Sequence, residues 1–145
     1  MLKKNLILSF LLISSFLFIN GQDWETDFES AKKKAIEEDR NIVLVFSGSD
    51  WCAPCIKLET EIWSTKEFRN YARENFVMLK ADFPRKKKNK LTDEQQKQNN
   101  QLAEKYNTQG YFPLVVVMDK NDKVLGTTGY EKMETFEYIK LLSSF

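Results

Sequence analysis

Histidine is absent from all 145 residues. Its absence removes the commonest general base and the commonest zinc ligand, so Ser-His-Asp hydrolysis, Cys-His proteolysis and His-ligated metal chemistry are excluded. An excess of either charge is also lacking: 22 Lys and Arg stand against 21 Asp and Glu. No bulk attraction toward nucleic acid or an anionic membrane follows from that balance. Five glycines and three prolines rule out a collagen-like repeat, and a 42% hydrophobic share rules out a disordered chain. The length leaves room for one compact domain. Cysteine is scarce, but the two that exist, Cys52 and Cys55, are three positions apart.

One long apolar run lies at the start. Lys3 and Lys4 precede Leu6 to Ile19, which is interrupted only by Ser9, Ser14 and Ser15, and Asn20, Gly21 and Gln22 end it. The run suits a signal-peptide core and is short for a spanning helix. Residues 1–21 therefore read as an export signal and residues 22–145 as a single domain, periplasmic or secreted. Ile19 is not the small residue usual three positions before a cleavage point, which keeps an uncleaved membrane tether as the alternative.

Beyond Gln22, helix and strand signals alternate. Trp24, Phe28, Ala31 and Ala35 make a helical stripe ending near Asp39. Ile42 to Phe46 is a continuous apolar run expected of a strand covered on both faces. A loop, Ser47 to Asp50, leads into a helix starting at Trp51 or Cys52 and passing Leu58 and Ile62. Phe68, Tyr71 and Ala72 mark a further helical stretch capped by Ser64 or Thr65, and Phe76 to Asp82 reads as the second strand. Leu114 to Met118 and Lys123 to Thr128, joined by a turn at Asn121 and Asp122, form a hairpin. Met133, Phe136, Ile139 and Leu142 give a closing helix. The pattern predicts an α/β domain with a four-stranded mixed sheet, a βαβ unit followed by ββα, an extra N-terminal helix and helices on both faces.

Residues 84–101 stand apart as a polar and basic insertion. Arg85 to Lys90 is almost wholly basic, and Thr92 with Gln95 has capping-box spacing for a helix running to Tyr106, with Leu102, Ala103 and Tyr106 inward. A nucleic-acid patch usually interleaves aromatics with its cations; this run has none and reads as a solvated loop.

Trp51-Cys52-Ala53-Pro54-Cys55 is the chemically informative stretch. At a strand-to-helix junction, both thiols fall in the first helical turn, where free backbone N–H groups and the helix dipole favour a thiolate. Cys52, nearer the helix end and solvent, is the expected nucleophile. Cys55, one turn deeper, can close a disulfide onto it. A structural disulfide is a poor alternative, since so small a ring restrains little of the unfolded chain. Half a zinc site lacks its remaining ligands. No metal or other cofactor is expected.

The chain resembles the thioredoxin-like proteins. The resemblance rests on Val43-Leu44-Val45-Phe46 leading into the cysteine motif, on Gly110-Tyr111-Phe112-Pro113, and on Lys123-Val124-Leu125-Gly126. It spans about residues 24–145 and is nearest to exported members such as the C-terminal domain of the periplasmic disulfide-interchange reductase. It implies a thioredoxin-like fold and a cis peptide bond before Pro113. It also implies a substrate-binding surface made by Trp51, Ala53, Pro54, Phe112 and Pro113, with Phe112 backbone groups pairing with an extended client. One departure stands out. The buried Asp found in many members six residues before the first cysteine is Phe46 here, and its lysine partner aligns with Met78.

The expected function is an exported thiol–disulfide oxidoreductase that reduces client disulfides through Cys52, with Cys55 resolving the mixed disulfide. Its partners would be protein clients and a membrane or soluble electron donor, with no nucleic acid, and the chain would act as a monomer. A disulfide oxidase or isomerase is the first alternative. A non-catalytic client-binding module on the same frame is the second.

Overall fold

A computed structural model describes residues 23–145. The export signal read in residues 1–21 lies outside the described residues. Among the described residues, five strands form one sheet in the order β1-β3-β2-β4-β5. They are β1 Trp24–Glu25, β2 Asn41–Ser47, β3 Phe76–Asp82, β4 Leu114–Met118 and β5 Val124–Thr128. The first three run parallel, while β4 is antiparallel to β2 and β5 antiparallel to β4.

The helices are α1 Phe28–Glu38, α2 Ala53–Leu58, α3 Lys66–Asn75, α4 Asp93–Tyr106 and α5 Thr135–Ser143. A wider helical turn, Glu59–Trp63, extends α2. Three caps fix the starts: Asp27 accepts from Ser30 N–H, Thr65 from Phe68 N–H and Thr92 from Gln95 N–H. Each satisfies a first-turn donor that the helix itself leaves free.

Because β2 and β3 are sandwiched, each strand feeds two cores. Ile42, Leu44 and Phe46 pack with Val77, Leu79, Ala31, Ala35 and Leu102, on the side of α1 and α4. Val43, Val45 and Met78 pack with Leu58, Ile62, Trp63, Phe68 and Tyr138, on the side of α2, α3 and α5. Helices thus cover both faces, and the mixed sheet is thioredoxin-like as expected.

Three expectations change. Trp24 belongs to a fifth strand rather than to the first helix, and it pairs in register with Met78. Its spacing to Phe28 imitates a helical stripe, but Asp27 starts the helix three residues later. The buried face of α5 is Tyr138, Ile139 and Leu142, while Phe136 is 50% exposed and Met133 precedes the helix. Phe46 and Met78 are both buried, but on opposite faces of the sheet. Parallel register sets Phe46 beside Ala81 and Met78 beside Val43, so the two do not face each other.

Candidate active site

β2 ends at Ser47, and a turn through Gly48, Ser49 and Asp50 delivers the chain to α2. Cys52 is the residue that caps this helix: its backbone is extended, and its Sγ accepts from Cys55 N–H at 3.3 Å. Pro54 fits the first turn, where its missing N–H breaks no helical bond. One turn of helix brings the Cα atoms of Cys52 and Cys55 to 5.2 Å, and the sulfurs are joined as a disulfide. Cys55 Sγ also accepts from Gly48 N–H at 3.5 Å. The expected difference in depth is not seen: both cysteines are 4% exposed. Position at the helix start, not accessibility, is what distinguishes Cys52.

The turn before the cysteines is tied at three successive residues to the end of β3 and the loop after it. Ser49 donates to the Asp82 carboxylate from both N–H and Oγ, at 2.9 and 2.5 Å. Asp50 accepts from the N–H groups of Arg85 and Lys86 and from Asn89 Nδ2, at 2.8 to 3.0 Å. These donors, the Arg85 N–H foremost, hold the Asp50 carboxyl below the usual carboxylate range. Trp51 Nε1 donates to the Phe83 carbonyl at 2.7 Å. Sequence reasoning missed Ser49, Asp82, Phe83 and Arg85. Their partners are more than thirty residues away, and no local pattern announces such a contact.

Trp51 is the centre of an aromatic cluster. Its ring lies 5.5 Å from Phe112, which lies 5.4 Å from Phe83, and the Arg85 guanidinium stacks 3.6 Å from the Trp51 ring centre. The Phe112–Pro113 peptide bond is cis. Phe112, Pro113, Leu114 and Pro54 line an open groove of about 390 Å³ that continues to Gly129 and Tyr130. Trp51, next to Cys52 in the chain, thus contacts Phe112, and Pro54, between the cysteines, lines the groove with Phe112 and Pro113. Ala53 is exposed in the first turn of α2 and does not line the groove.

Glu59 is one turn beyond Cys55 on the same helical face. Its carboxylate accepts from Lys80 Nζ at 3.0 Å, and that ammonium sits 4.3 Å from the Trp24 ring centre. A separate charged cleft, lined by Lys34, Glu38, Arg40, Arg69 and Arg73, contains no residue of the cysteine turn or of the Pro113 segment.

Residues 23–120 match the family model described as thioredoxin-like, and the chain belongs to that family. It is 33% identical over 121 residues to the disulfide bond reductase DsbH of Chlamydia pneumoniae, covering 83% of this chain and 70% of that protein. The thioredoxin-related protein DsbJ of the same organism is 32% identical over 60 residues, 41% of this chain and 17% of its own length. A solved structure of a DsbH oxidoreductase superposes with a TM-score of 0.79 at 31% identity, over 86% of this chain and 83% of the other. A Thermus thermophilus thioredoxin, 16% identical, shares the fold with a TM-score of 0.63 over 86% of each chain. The chain is a thioredoxin-like thiol–disulfide oxidoreductase.

Proposed function

We propose that the protein reduces disulfides of exported client proteins. The observation that carries this reading is the placement of Cys52 at the start of α2, bonded to Cys55 and flanked by Trp51 and Pro54, which contact Phe112 and line the Phe112–Pro113 groove respectively. In the dithiol form, the Cys52 thiolate attacks one sulfur of a client disulfide. The Cys52–client bond forms as the client bond breaks, and the departing thiolate takes up a proton. Cys55 then loses its proton and attacks Cys52 Sγ, closing the Cys52–Cys55 bond and releasing the second client sulfur. Two electrons have passed from protein to client. The disulfide-bonded state is the oxidised product, which a membrane or soluble dithiol donor must reduce again.

Cys55 needs a route for its proton. Asp50 is occupied by the loop, so Glu59 is the better placed carboxylate, with Lys80 holding it. The direction of electron flow is supported by two features. Histidine, which stabilises the thiolate in oxidising members of the family, is absent between the cysteines, and the DsbH relative is named as a reductase. The fully buried Phe46 favours a second reading as a client-binding module, because it deprives that position of a carboxylate.

A redox titration of residues 22–145 against a dithiothreitol or glutathione buffer, read by thiol-trapping mass shift, tests the proposal. The expected two-electron midpoint is near that of thioredoxin, about −270 mV. A Cys55→Ser variant should accumulate the Cys52–client mixed disulfide. A midpoint between about −180 and −120 mV would make the protein an oxidant or isomerase. A pair that does not cycle would leave only the binding module.

A further inference from the structure

The loop after β3 carries Arg85, Lys86, Lys87, Lys88 and Lys90, all exposed. Among the described residues, only Lys90 of these five pairs with a carboxylate, exposed Asp93 at 3.8 Å. Asp50, the acid that touches the loop, spends its oxygens on two backbone N–H groups and on Asn89. The loop is therefore anchored through two backbone N–H groups and the Asn89 side chain, while Lys86, Lys87 and Lys88 form no ion pair among the described residues. A short helical turn, Lys87–Asn89, shapes it further. Arg85 lies on one side of Trp51 and Phe112 contacts the same ring, so the cations begin one side chain away from the client groove. Lys86, Lys87, Lys90 and Gln96 also line an open depression of about 420 Å³.

We infer that this loop is a fixed electrostatic docking arm that selects client segments bearing Asp or Glu beside the disulfide to be reduced. The inference rests on the proposed reductase function and names its substrate class. A preorganised cluster of one sign raises the local concentration of opposite charge and orients its bearer, and it acts over roughly 10 Å at ordinary ionic strength. The net charge of the whole chain is only +1, so this positive field is local to the site and not a property of the molecule at large. Nucleic acid is the less suitable ligand, since no aromatic lies within the run itself and the rings beside Arg85 are already packed on one another.

The test uses two synthetic peptides, each with one intramolecular disulfide, flanked by Asp and Glu in one and by Ser and Gln in the other. Single-turnover reduction by the dithiothreitol-reduced, desalted protein is followed at about 20 mM and about 500 mM salt. The acidic peptide should react about tenfold faster at low salt, and high salt should erase most of that ratio. Lys86→Gln, Lys87→Gln and Lys88→Gln together should bring the ratio to about one at either salt concentration, while Asp50 and Arg85 keep the loop in place. Equal rates for the two peptides with the unaltered protein would overturn the docking arm and leave the reductase standing. Reduction of neither peptide would overturn both. Salt-sensitive retention of a labelled oligonucleotide, with no preference between the peptides, would overturn the arm in favour of nucleic-acid binding.

Discussion

Gly48 is the residue whose identity the site constrains most tightly. A Cβ there would meet the Trp51 indole at 2.3 to 2.6 Å, far inside van der Waals contact. The indole cannot simply swing away, because its Nε1 bonds Phe83, its face stacks on Arg85 and its ring packs at a tilt on Phe112. Gly48→Ala should therefore displace Trp51 and disturb the Gly48 N–H that points at Cys55 Sγ. We expect a loss of about 1–3 kcal/mol in chemical denaturation, the range typical of overpacking. Peptide reduction should slow in parallel. Unchanged stability together with an unchanged Trp51 environment would show that the ring has room the structure does not indicate. The cysteines themselves were legible from their spacing and flanking Trp and Pro. Gly48 was not, because its constraint comes from a side chain folding back over it.

At the scale of elements, one carboxylate, Asp50, clips the Arg85–Asn89 part of the loop after β3, and that clip should respond to acid. Hydrogen bonding to the ionised form lowers the Asp50 pKa in the folded protein, with the Arg85 N–H the largest cause. A depressed carboxylate contributes stability above its unfolded value, near 3.8, and that contribution is lost as pH falls through the lower folded value. The loop should accordingly stay anchored through the neutral and mildly acidic range and release only in strong acid. Amide NMR signals of Arg85 and Lys86 should move together, with a shared midpoint below 3.8. A midpoint at or above that value, or separate midpoints, would contradict the clip. Read from the sequence, this loop was solvated and basic, and its side chains are. Its attachment to Asp50 was not legible, since 35 residues separate Asp50 from Arg85.

Element boundaries follow the same division. Phe76 to Asp82 is unambiguous because seven residues, mostly buried on both sheet faces, leave no competing period. Trp24 is not legible as a strand residue, because a two-residue strand has no period at all. In α5 the helical spacing points to Phe136, whereas Tyr138 is the aromatic turned inward, its hydroxyl donating to the Gly129 carbonyl at 2.7 Å.

For the molecule as a whole, the central sheet separates two cores, and its strands β2 and β3 contribute to both. Trp63 anchors one of them, with edge-on contacts to Trp24, Phe68 and Tyr138 at ring distances of 4.5 to 6.0 Å. Leu102 is the buried apolar residue of α4 on the other side, with Ala103 and Tyr106 packed half-buried beside it. Because β2 and β3 contribute alternate residues to each core, neither face should melt without exposing the other's strands. Trp63→Ala should cost about 3–5 kcal/mol and Leu102→Ala about 2–5 kcal/mol, as expected for large buried side chains truncated in a packed interior. Both losses should appear as shifts of one cooperative unfolding transition, with fluorescence and far-ultraviolet circular dichroism giving the same midpoint. Two separated transitions in either variant would show that the faces fold as independent layers. In that case the cysteine turn, which rides on the Trp63 side, would be open to local unfolding while the α1 and α4 side remained intact.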